Sequence, residues 1–312
     1  MIMKAEKTRI GVVGTGVMGG NHMRVLAADR RYSLTCAMDI DPDNLHAACQ
    51  PYSDIFALHE PMAMLPYVDA VVIATPTLEH LNYARLFLNA GKHVLIEKPL
   101  ASSLQEAREI VELAEKTGLV AAVGHLERFN PAIEAIKELA LNPLFIDVQR
   151  LGSFSPRSLD IDVVLDLMIH DLDIIRQWDR SGIVEIRASG VPVISDKIDI
   201  ANARIEFASG MVANITASRI SQKKTRNLRI FKKKIYISVD YSRREVKLFR
   251  LEGKTVRESH PETRSIEPLA NMWGNFHEYL QGLGGEIVSV SQGAESLALA
   301  LDVVAAIPDL EN

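Results

Sequence analysis

The amino-acid sequence predicts an α/β protein in which a doubly wound parallel sheet is followed by an α+β domain with a large, open, mainly antiparallel sheet. Three observations predict this fold class. Short apolar, β-branched runs alternate with amphipathic helical segments over residues 1–124, as in βαβ units. The first run leads directly into a glycine-rich loop. Strand-like stretches joined by hairpin-like turns fill much of residues 125–312, so we expect two domains divided after residue 124.

The glycine-rich loop follows the first predicted strand, residues 8–14, and a helical pattern continues to about residue 29. Its G-x-G-x-x-G pattern is typical of dinucleotide-binding Rossmann domains. There glycine permits a tight turn, a close approach of backbone to a pyrophosphate, and packing of the helix on the strand. The N–H groups of the helix N-terminus then hold the anion. The predicted cofactor-binding residues of this loop are Gly14, Gly16, Val17, Met18 and Gly19.

Asp39 ends the second predicted strand, residues 33–38, and lies 20 residues after Gly19. A carboxylate at this place accepts hydrogen bonds from the adenosine ribose hydroxyls and repels a 2′-phosphate. No arginine or lysine occurs from residue 35 to residue 54. The sequence therefore predicts that the cofactor is NAD rather than NADP.

Polar residues also follow the ends of the other predicted strands of the first domain. These strands are residues 55–56, 69–75, the apolar part of 93–100, and 120–123, with helices at 42–50, 78–90 and 104–117. Asp41 and Ser103 are the expected helix caps. Doubly wound sheets bind ligands outside the carboxyl ends of their strands. We therefore expect the cofactor edge to include Thr75, Pro76, His80, Glu97, Lys98 and His125.

The stretch H-V-L-I-E-K-P-L, residues 93–100, is an apolar run that ends on an acid, a base and a proline. One interpretation is a buried strand that delivers Lys98 to an active site, with Glu97 positioning the lysine and Pro99 fixing the turn. The other is a loop between helices with a surface salt bridge. The place of Lys98 after the fifth strand, on the same edge as the dinucleotide glycines, favours the first interpretation.

The second domain, residues 125–312, has a different pattern of predicted helices and strands. A helix is predicted at 131–141, with Asn130 as its cap, and further helices are predicted at 161–178, 271–283 and 294–306. The predicted strands are residues 144–154, 184–193, 199–207, 212–221, 226–239 and 245–251.

The predicted helix 161–178 carries a polar strip. Asp166, His170 and Asp173 recur at i, i+4 and i+7 on an otherwise mostly apolar helix. Buried polar groups without partners are costly, so they are usually paired or functional. A single histidine there is more often a core residue, but two stacked carboxylates favour a catalytic role. No third ligand or H-x-x-x-H spacing accompanies them, so we expect no metal site.

Two polar segments of the second domain each have more than one interpretation. Arg128 and Asn130 begin a helix at the domain junction, where they either contact a substrate or, for Asn130, only cap the helix. The basic run at residues 223–234, with Arg243 and Arg244, holds a substrate diphosphate or nucleic acid, or else is a solvated strand face or an oligomer rim. A solvated strand face or an oligomer rim is favoured over a binding role.

Composition excludes several classes of protein. Hydrophobic residues make up 47% of the chain, and the net charge is −5, which gives no electrostatic basis for binding nucleic acid or an anionic membrane. No apolar segment is long enough for a membrane helix, and no signal core precedes the first strand, so we expect a cytoplasmic protein. Cys36 and Cys49 are expected to be free thiols. An open sheet should be covered by self-association, giving a homodimer or homotetramer.

Together, G-x-G-x-x-G, the E-K-P of residues 97–99, the D-L-M-I-H-D-L-D segment of residues 166–173 and the open sheet resemble the Gfo/Idh/MocA oxidoreductase family. The resemblance extends along the whole chain. It implies a bound pyridine nucleotide and a sugar or cyclitol oxidised or reduced at a secondary carbinol. It also implies that Lys98, Asp166 and His170 are the catalytic residues, and that these three contact the substrate.

At a finer level, residues 124–132 (G-H-L-E-R-F-N-P-A) are similar to the branch of UDP-N-acetylglucosamine 3-dehydrogenases, which serve lipid A biosynthesis. This similarity implies NAD-dependent oxidation of the 3-hydroxyl of a UDP-N-acetylhexosamine. A dehydrogenase of a free sugar or inositol and a non-catalytic nucleotide-sensing regulator are the alternatives. The chain departs from the family's glycine-rich approach to the catalytic helix, because it has L-D-I-D-V-V at residues 159–164.

The implied reaction needs a base that takes the hydroxyl proton as hydride leaves the carbon. Imidazole ionises near neutrality, which suits His170 to this exchange. Lys98 is placed to stabilise a developing alkoxide, and Asp166 orients one of the two. The sequence leaves open whether Lys98 or His170 is the formal base.

Overall fold

The computed structural model describes residues 7–154 and 161–308. Within these residues the chain forms two compact units. One comprises the described residues up to His125 together with Leu269–Glu295. The other comprises the described parts of Leu126–Pro268 and of the chain from Ser296 on.

The first unit is built on a six-stranded parallel sheet. Its strands are β1 (Thr8–Val13), β2 (Tyr32–Met38), β3 (Phe56–Leu58), β4 (Ala70–Ile73), β5 (His93–Ile96) and β6 (Ala121–Val123). Their order in the sheet is β3-β2-β1-β4-β5-β6, which is the Rossmann order. The four residues of β4 are completely buried, because both faces of the sheet are covered. The predicted doubly wound parallel sheet is thus confirmed.

Helices connect the strands of this sheet. They are α1 (Val17–Ala28), α2 (Pro42–Cys49), α3 (His80–Asn89) and α4 (Leu104–Thr117). The predicted caps are confirmed, since the Asp41 side chain accepts hydrogen bonds from two backbone N–H groups of α2 and Ser103 accepts one from the N–H of Glu106. Gly118 ends α4 in the left-handed conformation, with φ of 66°.

Helix α7 (Pro268–Leu280) returns the chain to the first unit from Leu269 on. Trp273 is completely buried there, and its carbonyl accepts a hydrogen bond of 2.7 Å from the Tyr32 hydroxyl. The expected second domain, residues 125–312, therefore differs from the structure in the segment Leu269–Glu295. The contacts responsible join residues more than two hundred positions apart, which local sequence patterns do not record.

The second unit contains an eight-stranded sheet. Its strands are β7 (Phe145–Leu151), β8 (Ile183–Val191), β9 (Ile200–Phe207), β10 (Val212–Ser218), β11 (Thr225–Lys232), β12 (Ile235–Asp240), β13 (Glu245–Glu252) and β14 (Thr255–Ser259). The order is β14-β13-β12-β11-β7-β10-β9-β8. Only the pair of β7 and β10 is parallel among these strands. This confirms the large, mainly antiparallel sheet.

Three further helices are α5 (Pro131–Ile136), α6 (Ile169–Trp178) and α8 (Val290–Ala305). One face of the eight-stranded sheet, α5, α6 and the part of α8 from Ser296 on bury a common hydrophobic core. Among the described residues, no helix is both long and apolar enough to cross a bilayer.

Several predicted elements have different bounds. The predicted strand 226–239 is wrong: it is the hairpin of β11 and β12, which turns at Lys234 with a φ of 62°. No glycine or asparagine marks this turn, so the sequence did not reveal it. The helix predicted to residue 141 ends at Ile136, and β14 was not predicted. Leu159 and Asp160, in the predicted approach to the catalytic helix, lie outside the described residues.

Candidate active site

The glycine loop between β1 and α1 has the geometry that its sequence predicts. Gly14 has a φ of 85°, and a Cβ on it would come 2.7 Å from the carbonyl oxygen of Ala74. A Cβ on Gly19 would come 1.9 Å from the carbonyl oxygen of Gly14, so this glycine lets the helix pack on the loop. A Cβ on Gly16 would meet no atom of the described residues within 4 Å. The loop therefore leaves open space above Gly16.

The N-terminus of α1 opens at this loop. Gly16 is the N-cap, and within the described part of the chain no side chain caps the helix. Its first turn carries no acidic residue. The backbone N–H groups at this helix N-terminus therefore still need an acceptor, and the helix dipole favours an anion there. In dinucleotide-binding folds this anion is the pyrophosphate of the cofactor. The residues present therefore fit NAD.

Asp39 is fixed against the glycine loop. One carboxylate oxygen accepts hydrogen bonds from the backbone N–H of Thr15 at 2.6 Å and from its hydroxyl at 2.9 Å. The other oxygen accepts one from the N–H of Asp41 at 3.0 Å. The carboxylate thereby lies where β2 ends, beside the loop, in agreement with its predicted place at the cofactor edge.

Thr75 and Pro76 follow β4 on the same edge, because the backbone of Thr75 lies 2.9 Å from the Cβ position of Gly14. Among the described residues the buried hydroxyl oxygen of Thr75 has no hydrogen-bond partner.

His80, unlike the Thr75 hydroxyl, has several polar neighbours. It is buried, and its ring nitrogens lie within 3.3 Å of the backbone carbonyls of Thr75, Pro99 and Leu100. Burial lowers the pKa of His80, and a neutral ring can donate to the carbonyls of only one of these two loops.

Glu97 and Lys98 follow β5, as predicted, and the Lys98–Pro99 peptide bond is cis. The Glu97 side chain is only 10% exposed. One of its oxygens lies 2.8 Å from Nε2 of His22, and the other accepts a hydrogen bond of 3.2 Å from the backbone N–H of Lys98. Burial favours the neutral acid, but the bond to His22 and the nearby Lys98 outweigh it and lower the pKa of Glu97. The surface salt-bridge interpretation is therefore wrong for this buried carboxylate.

His22 was not among the residues singled out by the sequence, although it is completely buried beside Glu97. The indole N–H of Trp273 donates to Nδ1 of His22 at 3.0 Å. An indole can only donate, so Nδ1 must be an acceptor and the proton of His22 lies on Nε2. His22 is thus a neutral donor to an ionised Glu97. No local motif marks this arrangement.

Gly124 leaves room for the same carboxylate. A Cβ at this position would come 2.8 Å from an oxygen of Glu97, so a larger residue would displace it. The next residue, His125, is buried at the end of β6. The structure therefore brings most of the predicted cofactor-edge residues to the carboxyl ends of the strands of the first unit.

In the second unit, Asp166 and His170 lie near the start of α6. A π-helical turn, Val164–Met168, precedes the α-helix and includes Asp166. Turns of this kind are frequent at functional sites. Both side chains are partly exposed, whereas Asp171 and Asp173 are each only 1% exposed. The accessible part of the predicted polar strip is therefore Asp166 and His170.

Asp173, the third member of the strip, is occupied by structural contacts. Arg128 donates to both of its oxygens at 2.6 Å, and the hydroxyl of Ser296 donates at 2.8 Å. This bidentate pair is nearly buried, with 12% and 1% of the two side chains exposed. Arg128 thus anchors the segment before α5 to helix α6.

Asn130 is the N-cap of α5, as one of its two interpretations predicted. Its side-chain oxygen accepts a hydrogen bond from the N–H of Ala132 at 3.1 Å. Its amide nitrogen donates to Glu127 and to the carbonyl of Tyr241, both at 3.2 Å. A substrate contact of Asn130 stays a prediction.

A second buried ion pair, which sequence reasoning missed, joins β7 to α6. Arg150 donates to both oxygens of Asp171 at 2.6 and 2.9 Å and to Glu127 at 3.1 Å. Burial works against the charge, but these two carboxylates raise the pKa of Arg150 well above its usual value. The hydroxyl of Tyr241 donates to Asp171 at 3.1 Å, and burial raises the pKa of Tyr241.

A Rossmann sheet with a dinucleotide loop, joined in one chain to a mainly antiparallel sheet that presents an Asp-His helix, defines the class of pyridine-nucleotide-dependent oxidoreductases. Comparison with known proteins narrows this class. A family model described as "Oxidoreductase family, NAD-binding Rossmann fold" (GFO_IDH_MocA) matches residues 8–125.

Relatives extend this match over most of the chain. The UDP-N-acetylglucosamine 3-dehydrogenase of Acidithiobacillus ferrooxidans is 36% identical over 251 residues, covering 80% of this chain and 79% of the relative. Its solved structure gives a TM-score of 0.90 at 33% identity, covering 97% of this chain and 98% of that one. The myo-inositol 2-dehydrogenase of Thermotoga maritima is 28% identical, covering 68% of both chains. The chain belongs to the Gfo/Idh/MocA family of NAD-binding oxidoreductases.

Proposed function

We propose that the protein oxidises the 3-hydroxyl of a UDP-N-acetylhexosamine to a ketone with NAD as the hydride acceptor. The observation that carries this proposal is the likeness to the Acidithiobacillus ferrooxidans UDP-N-acetylglucosamine 3-dehydrogenase, which extends through both units at more than 30% identity. The motif of residues 97–99 lies in the first unit and that of residues 166–173 in the second.

The cofactor is assigned to the edge of the first unit. Backbone N–H groups of residues 14–19 bind the pyrophosphate, and Asp39 accepts hydrogen bonds from the adenosine ribose. Two apolar side chains at this edge, Ile40 and Leu78, are 81% and 73% exposed. They supply an apolar surface for the adenine ring. The fixed carboxylate of Asp39 favours NAD over NADP, whose 2′-phosphate it repels.

The oxidation breaks the C–H and O–H bonds of one carbinol and forms its C=O bond. NAD, held by residues 14–19 and Asp39, would supply the acceptor for the hydride that leaves the carbon. His170 takes the hydroxyl proton, because an imidazole exchanges protons near neutrality. Lys98 donates a hydrogen bond to the carbinol oxygen and stabilises the developing alkoxide. Asp166 orients His170, and Glu97, held by His22, positions Lys98.

A nicotinamide reduction assay over a panel of substrates tests this proposal. The panel contains UDP-N-acetylglucosamine, UDP-N-acetylgalactosamine, free N-acetylglucosamine and myo-inositol. We expect turnover with a UDP-sugar, and an NMR spectrum of the product that shows a ketone at C3. Turnover of myo-inositol alone would identify a polyol dehydrogenase, in line with the Thermotoga maritima relative. Absence of turnover across the panel would contradict the proposal.

We also propose that the protein self-associates through the outer face of the eight-stranded sheet. A row of aromatic rings crosses four strands on this face, with adjacent ring centroids 5.7, 4.9 and 5.3 Å apart. The row comprises Phe145, Phe231, Tyr236 and Phe249. Aromatic clusters on an open sheet face favour association. Phe231→Lys should lower the molar mass measured by analytical ultracentrifugation; an unchanged mass would exclude this face.

A further inference from the structure

The second unit contains a cleft of about 270 Å³ at the sheet end where β11 begins and β12 leads to β13. It lies within residues 126–268. None of the residues assigned above to the catalytic step lines it. Its polar lining includes Glu127, Asn130, Lys224, Arg226, Tyr241 and Arg244.

The cations of this cleft outnumber its carboxylates. Arg226 lies opposite Arg150 in the pairing of β11 with β7. The two guanidiniums share Glu127, one of whose oxygens is 3.1 Å from Arg150 and 3.6 Å from Arg226. Asp171 is bound by Arg150 through two hydrogen bonds. The Arg150–Asp171 pair is neutral as a unit and does not line the cleft, so Lys224, Arg226 and Arg244 stand against Glu127 and leave an excess of two positive charges.

Arg226 is poorly compensated within this cluster. Burial and the neighbouring Arg150 lower the pKa of Arg226, against the opposing effect of Glu127. Two like charges held together in a partly desolvated site favour an anion between them. A phosphate oxygen is a suitable partner, because guanidinium and phosphate groups form strong charge-assisted hydrogen bonds.

Arg244 lies between β12 and β13 and has an unusual backbone conformation. Its φ is 58°, a left-handed conformation that costs a residue with a Cβ some stability. Its guanidinium also donates to the carbonyl of Ile266 at 3.1 Å. The bond to Ile266 keeps the guanidinium of Arg244 at the wall of the cleft.

Other cations of the basic run 223–234 have different partners. Arg229 lies 3.6 Å from Asp147, and Nζ of Lys232 donates to the carbonyl of Leu139 at 2.9 Å. Lys234 forms the turn between β11 and β12. Of this run, Lys224 and Arg226 line the cleft.

We propose that this cleft binds the diphosphate of a nucleoside diphosphate sugar, with Lys224, Arg226 and Arg244 as its cationic ligands. The proposal rests on the proposed function and names where its substrate is held. A sugar-linked diphosphate carries two negative charges, which match the excess positive charge of the cleft. Arg150 and Tyr241 both contact Asp171, so the cleft wall is joined to helix α6 at the residue after His170.

Two double variants with the same change of charge test the proposal. Lys224→Gln with Arg244→Gln removes two cations from the cleft. Lys223→Gln with Arg243→Gln removes two exposed cations next to them in sequence that do not line it. Each protein is titrated with UDP by calorimetry and assayed for kcat and KM with UDP-N-acetylglucosamine and NAD. Thermal unfolding verifies that each variant is folded.

We expect the cleft pair to raise the Kd of UDP and the KM by about tenfold or more, with kcat changed by less than about threefold. The control pair should change both constants by less than about threefold. Equal effects of the two pairs, no effect of the cleft pair, or no binding of UDP by the wild-type protein would overturn the proposal.

The two proposals fail in distinguishable ways. Turnover of UDP-N-acetylglucosamine that is unaffected in the cleft pair would overturn the diphosphate site and leave the proposed function standing. Conversely, wild-type protein that binds UDP through the cleft but oxidises no UDP-sugar would support the site and contradict the proposed function.

Discussion

Nε2 of His22 lies 2.8 Å from a carboxylate oxygen of Glu97, one residue before Lys98. Because Trp273 donates to the other ring nitrogen, this contact is a hydrogen bond from a neutral imidazole to an ionised carboxylate. The other Glu97 oxygen accepts from the backbone N–H of Lys98. A buried series of contacts thus runs from α7 to the backbone of the proposed catalytic lysine.

His22→Leu should lower kcat by about tenfold or more, because it leaves Glu97 buried without its charge-assisted donor. The carboxyl pKa should then rise, and the fall in kcat should be larger at acidic pH, where Glu97 becomes protonated. KM for NAD should change little. The measurement is the pH dependence of kcat for the wild type and the variant.

His22→Gln is the matched control. A glutamine amide has both a donor for Glu97 and an acceptor for Trp273, so it should restore most of kcat. Equal losses in the leucine and glutamine variants would show that His22 contributes only to packing.

Asp39→Ala should weaken NAD binding and reduce the preference for NAD over NADP, because it removes both the ribose acceptor and the repulsion of a 2′-phosphate. The carboxylate also accepts from the N–H of Thr15, so the loop loses an anchor. Asp39→Asn keeps an acceptor for that N–H but loses the charge. The ratio of kcat/KM values for the two cofactors decides the question, and an unchanged ratio in both variants would refute this role of Asp39.

The buried carboxylate of Asp199 should make the stability of the protein depend on pH. It is completely buried and accepts hydrogen bonds from the N–H groups of Val193, Ile194 and Ser195 and from Arg219. Although burial opposes it, these donors lower the pKa of Asp199 well below its usual range. A lowered carboxyl pKa contributes stability that is present above the unfolded-state pKa of about 4 and is lost as the pH falls below it.

Asp199→Asn should therefore be less stable than the wild type at neutral pH by about 2 kcal/mol or more. The difference should shrink as the pH falls below about 4. Urea unfolding at neutral and acidic pH measures both values. A difference that is independent of pH would show that the charge of Asp199 is not the stabilising feature.

Much of the first unit was predictable because its signals are local. The glycine pattern of residues 14–19 and the helix caps Asp41 and Ser103 determine the backbone conformation of residues only a few positions away. The parallel strands are continuous apolar runs. The bond from Trp273 to His22 joins residues 251 positions apart. No periodicity or motif records such a contact, so the support for Glu97 was missed.

The second unit shows a different limit of sequence reasoning. The i, i+4, i+7 pattern of Asp166, His170 and Asp173 predicted a single polar strip. In the structure a π-helical turn precedes the helix, and Asp173 is buried against Arg128. The spacing thus located the polar side chains of the helix but did not distinguish the accessible ones from those in structural ion pairs. In the sheet, the hairpin turn at Lys234 was missed because it lacks the residue types that favour a positive φ.

Turnover and NAD binding of Lys98→Met test the central claim most directly. Methionine has nearly the length of lysine but has no charge and no donor. We predict that the wild-type protein reduces NAD in the presence of UDP-N-acetylglucosamine. The variant should show no measurable turnover while calorimetry gives the same Kd for NAD. Turnover by Lys98→Met at a rate near that of the wild type would contradict the account.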